Sequence, residues 1–183
     1  MSYERTLIIF KPDAVRRRLI GRVFSRFEDA GLDLLACKVF NPASPELIAA
    51  HYKSTPEWLR GVGEKTLKSY RDLGKDIIRG FGTDEPEKIG LIVKNRLLTY
   101  MTSGPVVAAV LGGNLAIRKV RALVGYTIPA EAAAGTVRGD FSSDSPDLAT
   151  AEGRSVENLI HASGAPDEAA EEIMLWFGED CVL

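Results

Sequence analysis

The apolar residues of this chain come in short runs closed by proline or glycine, and no other feature limits the fold so tightly. Thr6 to Phe10 stops at Lys11-Pro12-Asp13, and Pro105 to Leu111 stops at Gly112-Gly113. Neither run approaches the roughly 20 residues that a membrane helix needs. Runs this short and β-branched suit buried strands, and proline ends them because it brings no ladder donor. Between the strands the apolar positions take helical spacing. From Ala14, Val15, Ile20, Val23, Phe24 and Phe27 form one stripe, Arg16, Arg17, Arg18, Arg22, Arg26 and Glu28 fill the other face, and Gly31 stops the helix.

Leu32 to Phe40 reads as a second strand, and Ser44-Pro45 opens a short helix that His51 and Tyr52 close. Residues 54–96 read as an insertion. Ser54 to Lys88 is rich in charge and glycine, with Trp58, Leu59, Val62, Leu67 and Tyr70 marking a helical excursion, and a further helix runs from about Glu87 to Met101. Val106 to Leu111 has the β-branched content of a central strand. Gly112-Gly113 is expected to turn the chain into a helix over Leu115 to Val124. Tyr126 to Gly139 is a loop too long for mere connection. A polar insertion, 142–154, precedes a strand over Asn158 to His161, and the last helix starts near Pro166 with Ala169, Ala170, Ile173, Trp176 and Phe177 on its buried face. This order suits an α/β sandwich in a single domain over residues 1–183.

Composition removes several functions. Lysine and arginine number 23 against 25 aspartates and glutamates, a net charge of −2, which excludes the broad positive field of a duplex-DNA binder. Arg16-Arg17-Arg18 reads as a solvated face or a subunit contact, so nucleic acid is not the expected partner. Cys37 and Cys181 are too few for a disulfide framework. Charges flank the short apolar stretch of MSYERTLIIFKPD, unlike a secretory signal, and a cytoplasmic protein is expected. Gly61-Val62-Gly63-Glu64-Lys65-Thr66 resembles a Walker loop only superficially, since Glu64 interrupts the required glycine-lysine adjacency.

Only His51 and His161 can supply imidazole chemistry. His51, at the end of an amphipathic helix, reads as structural or exposed. His161 lies where a strand ends, with Ser163 and Gly164 before the next helix. Glu172, in the second turn of that helix, could reach back and orient one ring nitrogen, leaving the other free to attack. Lys11, Arg121 and Arg138 could neutralise a polyphosphate, and Arg138 sits between glycines that let a ligand approach the backbone. Each has a plainer reading alone: a strand-edge histidine, a solvated glutamate, an arginine in a turn.

Taken together, Lys11-Pro12-Asp13, Ser103-Gly104-Pro105-Val106-Val107, Arg138-Gly139-Asp140-Phe141 and Asn158-Leu159-Ile160-His161-Ala162-Ser163 resemble the nucleoside diphosphate kinase family. Gly125-Tyr126-Thr127-Ile128-Pro129-Ala130 and Glu172-Ile173 with Leu175-Trp176-Phe177 extend the likeness over residues 3–53 and about 97–177. The resemblance implies a ferredoxin-like βαββαβ sandwich, with a four-stranded antiparallel sheet and helices on one face. It also implies ping-pong transfer of a γ-phosphate from a nucleoside triphosphate, typically ATP, to a nucleoside diphosphate, with magnesium (Mg2+) arriving on the nucleotide and a homo-oligomer, hexamer or tetramer. His161 matches the family's nucleophile, and Glu172 and Ser163 its ring-holding residues. Lys11 and Asn158 match contacts to the ribose 3′-hydroxyl and a nearby phosphate oxygen, Tyr52 a tyrosine beside the transferring phosphate, and Arg121, Thr127 and Arg138 the phosphate-binding trio. A non-catalytic nucleotide-binding scaffold and a protein phosphohistidine relay are the alternatives on the same fold.

The chain departs from the family pattern in its two insertions, 54–96 and 142–154, and in Gly164, where the family has aspartate. The first insertion obscures the base-stacking phenylalanine, and Trp58 is the candidate replacement.

Overall fold

The computed structural model describes residues 3–52 and 54–179. Cys181 lies outside them. Four strands form one antiparallel sheet: β1 (Tyr3–Phe10), β2 (Asp33–Phe40), β3 (Val106–Asn114) and β4 (Ile160–Ala162), in the order β2-β3-β1-β4. Each pairing is antiparallel. Around it lie α1 (Pro12–Arg16), α2 (Ile20–Asp29), α3 (Pro45–His51), α4 (Pro56–Asp72), α5 (Ile77–Phe81), α6 (Pro86–Met101), α7 (Ala116–Val124), α8 (Val137–Phe141), α9 (Pro146–Ala151) and α10 (Pro166–Phe177).

The continuous apolar runs have a simple cause. β1 and β3 sit inside the sheet with both faces covered, so successive residues enter different cores. Ile8, Phe10, Val107, Ala109 and Leu111 pack with Val23 and Phe27 of α2 and Val120 of α7. Leu7, Ile9, Val106, Ala108 and Val110 pack instead with Ile48 of α3, Met101 of α6, and Ile173 and Trp176 of α10. The βαββαβ core is thus present, and its crossover helices α2 and α7 share one face. α1 and α8 add Ala14, Val137 and Phe141 to that same face, but helices are not confined to it, because α3, α6 and α10 cover the other.

Three local expectations need correction. The helix expected from Ala14 is two helices, since Arg18 adopts φ 57° and turns the chain so that Leu19 is buried. Gly112-Gly113 does not turn the chain. β3 runs through both glycines to Asn114, paired with Tyr3, and the reversal falls at Leu115, φ 53°. The last strand begins at Ile160, because Leu159 takes φ 69°. The 142–154 segment, read only as a polar insertion, also holds a short helix, α9.

The 54–96 segment is helical, as its composition suggested, and α4 lies directly on α6. A Cβ on Gly63 would come within 1.8 Å of the Pro86 carbonyl oxygen, and one on Gly90 within 2.1 Å of that of Leu59. Gly63, in the false Walker sequence, is therefore a helix-packing residue in mid-helix.

Candidate active site

Pairing of Ile9 with His161 places His161 on the same face as Ile9, towards α3 and α10. There its Nε2 lies 2.8 Å from Oε1 and 3.0 Å from Oε2 of Glu172. A carboxylate only accepts hydrogen bonds, so Nε2 carries the proton and Nδ1 keeps its lone pair. Ser163 fixes the carboxylate in turn: its Oγ donates to Glu172 Oε2 at 2.6 Å and accepts from the Leu7 N–H at 3.2 Å. Burial, with the charges of Lys11, Arg138 and Arg121, lowers the His161 pKa to about 3, against an attraction from Glu168. The imidazole is neutral at physiological pH, yet its side chain remains 17% exposed. A fixed tautomer, a free nitrogen and an accessible edge make it a competent nucleophile.

Cations line the approach. Lys11 is buried at the exit of β1, and its Nζ donates to Asn158 Oδ1 at 2.6 Å. Burial first, then Arg138, lower its pKa to about 7, while Asp13 opposes the shift. Asn158 uses both ends of its amide, for Nδ2 donates to the Thr127 carbonyl at 3.0 Å and so ties the long loop to the site. Arg121 and Thr127 are exposed. Arg121 makes one long contact, Nη1 to the Ala162 carbonyl at 3.5 Å.

Arg138 differs from the sequence reading of a turn arginine. It is buried, and its guanidinium donates to the carbonyls of Asn158 at 3.1 Å, Gly125 at 2.9 Å and Ile160 at 2.6 Å. Burial, with Arg121 nearby, lowers its pKa to about 10. It clamps the backbone on both sides of Leu159 and has N–H groups left for a ligand, since a guanidinium carries five.

Two groups at the C-terminal end of α3 stand near Glu172. The Tyr52 hydroxyl is buried without a hydrogen-bond partner among the described residues, and burial raises its pKa. His51, read as structural or exposed, belongs to the site. Its ring packs at 85° to that of His161 with centroids 4.5 Å apart, and its Nδ1 lies 3.6 Å from Glu172 Oε1. Helical spacing could not signal this, since α3 and α10 meet only in the fold. Trp58 is half-buried in the first turn of α4 and takes part in none of these contacts.

The residues of this site all lie within stretches that match known proteins. The nucleoside diphosphate kinase family profile matches residues 4–58 and 87–182, leaving all of α4 after Trp58 and all of α5 outside it. A nucleoside diphosphate kinase of Pyrobaculum aerophilum is 55% identical over 183 residues, 100% of both chains. One from Methanocaldococcus jannaschii is 34% identical over 97% of this chain and 95% of its own. Among solved structures, an NDP kinase from Pyrobaculum aerophilum superposes with a TM-score of 0.93 at 53% identity, covering 100% of both chains. A transition-state mimic of nucleoside-diphosphate kinase from Borrelia burgdorferi, with bound vanadate and ADP, gives 0.75 at 36% identity, covering 99% of this chain and 90% of that one.

Proposed function

The chain belongs to the nucleoside diphosphate kinase family, and from that premise we propose that His161 Nδ1 is the atom that carries phosphate between nucleotides. The enzyme is a phosphotransferase that moves the terminal phosphate of a nucleoside triphosphate to a nucleoside diphosphate. In the proposed first half-reaction Nδ1 forms a bond to the γ-phosphorus, and the bond from that phosphorus to the bridging oxygen breaks. The diphosphate leaves with the electron pair. A terminal oxygen of a second diphosphate then attacks the phosphohistidine and restores the neutral ring. The observation that carries this reading is the Nε2 contact to Glu172, which leaves Nδ1 unprotonated and directed away from the carboxylate.

Phosphoryl transfer needs alignment and neutralisation of oxygens more than covalent help. Lys11, Arg121 and Arg138 are suited to those oxygens, with Thr127 and Asn158 beside them and Tyr52 next to the transferring group. Trp58 is proposed to stack on the base, from its position after Tyr52 in the sequence. Magnesium is proposed to arrive on the nucleotide. Among the described residues the one histidine-carboxylate cluster with metal-ligand spacing is His51, His161 and Glu172. Glu172 is taken up by His161 Nε2 and Ser163, and His51 Nδ1 accepts from Trp176, whereas magnesium prefers several oxygens and water. That donor set favours magnesium held by nucleotide phosphates over a protein cage.

No helix among the described residues is long and apolar enough to cross a membrane; the cytoplasmic location belongs to the proposal. So does the homo-oligomer, hexamer or tetramer. It is supported by edge strand β2, where Leu34 is 46%, Leu35 44% and Val39 65% exposed.

The test is labelling with γ-labelled ATP, with and without chelation of magnesium, followed by transfer to dTDP and, separately, to protein acceptors. An acid-labile phosphoenzyme on His161 that discharges to dTDP is expected, and His161→Ala should give none. A band persisting in that variant would refute the assignment. A scaffold would label in neither assay, and discharge to protein alone would favour the relay.

A further inference from the structure

His51 holds an unusual place for a residue that neither cations nor solvent require. Its side chain is 1% exposed, and Trp176 of α10 donates an indole N–H to its Nδ1 at 3.3 Å. Indole nitrogen only donates, so Nδ1 must accept and the His51 proton sits on Nε2, which is buried without a partner among the described residues. The accepting Nδ1 also faces Glu172 Oε1 at 3.6 Å, the oxygen closest to His161 Nε2.

We propose that Trp176 holds His51 as a neutral, Nδ1-accepting imidazole, so that Glu172 Oε1 is left to the Nε2–H of His161. The inference rests on His161 being the phosphorylated residue. Phosphorylation at Nδ1 draws electrons from the His161 ring and builds positive charge on it, which Glu172 offsets through that hydrogen bond. A protonated His51 would bring a second cationic donor to the same oxygen and weaken the counter-ion where it is needed. His51 is thus a positioning residue that acts through Glu172, and Trp176 guards its protonation state.

The groups that act on His51 come from several elements. Glu172 of α10 favours its protonation, His161 of β4 and Lys11 after β1 oppose it, and Tyr52 packs edge-on against its ring. Burial is the largest influence and keeps the ring neutral. Removing the indole donor frees Nδ1 to take a proton in acid and to bond Glu172.

The experiment measures the single-turnover rate of phosphoenzyme formation from ATP across pH in the full chain, with the phosphorylated residue mapped in every variant. Trp176→Phe keeps a ring against Phe40, its T-shaped neighbour at 5.1 Å, and removes the donor. Its acid limb should move up by about one pH unit, a tenfold loss on that limb. Adding His51→Asn, which keeps an acceptor but cannot titrate, should return the limb to its original place. No shift in Trp176→Phe overturns the proposal, as does a shift that persists in the double variant. An equal loss at every pH with a lowered Tm assigns the pair to packing and also overturns it. Should Trp176→Phe not fold, His51→Asn alone decides: a limb at or below the parent's supports the proposal, and a raised one overturns it. Phosphate mapping to a residue other than His161 defeats the underlying assignment instead, and is distinguishable for that reason.

Discussion

Asp13 accepts the backbone N–H of Leu159 at 3.2 Å, joining the first turn after β1 to the residue between Asn158 and Ile160. Leu159 has φ 69°, a conformation that costs a non-glycine residue about 1–3 kcal/mol and persists only where its surroundings impose it. The surroundings do so. The Lys11 N–H donates to the Leu159 carbonyl, Arg138 holds the carbonyls on either side, and the other Asp13 oxygen accepts from the buried hydroxyl of Tyr100 on α6. The turn aims Asn158 at Lys11 and starts β4 with His161 on the α10 side.

Asp13→Asn should therefore damage stability and chemistry together. Both Asp13 oxygens accept, whereas the amide oxygen of Asn can serve only one donor: with it on the Leu159 N–H, the amide N–H meets the Tyr100 hydroxyl, which must then accept and leaves its own hydrogen without the Asp13 acceptor. A loss of about 1–3 kcal/mol follows from one unsatisfied buried group, or about 2–4 °C in Tm per kcal/mol for a chain this long. Thermal melts paired with phosphoenzyme rates check it. An unchanged Tm with normal labelling would show that the Leu159 turn needs no carboxylate.

Glu172→Gln separates charge from shape. The amide oxygen can still accept from His161 Nε2, so the tautomer survives, but the negative charge opposite the phosphorylated ring is gone. Hydrogen bonds to charged groups contribute about 1.5–3 kcal/mol, which corresponds to roughly 10–100-fold in the rate of phosphorylation. Nucleotide KM should stay near the parent value. Rapid-quench measurement distinguishes this outcome from a binding defect.

The two arginines proposed for the phosphate site should fail differently. Arg121 is exposed with one long backbone contact, so Arg121→Ala is expected to raise nucleotide KM while leaving Tm unchanged. Arg138→Ala strips a donor from three carbonyls and is expected to lower both Tm and kcat, the latter by about 10² to 10³ if a transition-state donor is also lost. Equal melting curves for the two variants would contradict the clamp.

The strands and most helices were legible in the sequence because each apolar run or stripe is closed by its own proline or glycine. The candidate site residues Lys11, Asn158, His161, Ser163 and Glu172 were picked out by motif order, and the fold brings Lys11 to Asn158 and Glu172 to both His161 and Ser163. What escaped was set at a distance. His51 enters the site only because α3 and α10 pack on one sheet face, and Arg138 became a clamp only because the turn at Leu159 presents carbonyls to it. Gly112-Gly113 read as a turn because glycine usually marks one. In the fold Gly112 leaves room for Tyr3 and Leu35, whose atoms a Cβ would meet at 2.4 and 2.7 Å.

Lys11 gives a pH dependence with a definite sign. Burial lowers its pKa to about 7, so in the free enzyme its charge is present below that value and lost as pH rises through it. kcat/KM for nucleotide should fall on the alkaline side of pH 7, through binding rather than through kcat, because a bound phosphate restores the proton. Stability runs the other way for the two imidazoles. Both have folded pKa values of about 3 against 6.5 unfolded, so the unfolded chain binds more protons between those values and Tm should fall as pH drops through that window. His51→Asn removes one of the two protons taken up and should flatten the fall. A Tm profile as steep as the parent's would place the titrating groups elsewhere.

The false Walker segment supplies a paired control within one helix. Gly61 and Gly63 both lie inside α4, where alanine is favoured over glycine by about 0.5–1 kcal/mol on backbone grounds. A Cβ at Gly61 meets nothing within 4 Å, while one at Gly63 lies 1.8 Å from the Pro86 carbonyl oxygen. Gly61→Ala should raise Tm slightly. Gly63→Ala must push α4 from α6 and lose about 1–3 kcal/mol, the range for overpacking. If α4 also carries Trp58 onto the base, Gly63→Ala raises nucleotide KM as the helix shifts, whereas Gly61→Ala leaves it alone. A nucleotide-binding glycine loop would instead lose ATP affinity with alanine at either position, with no difference in Tm between them.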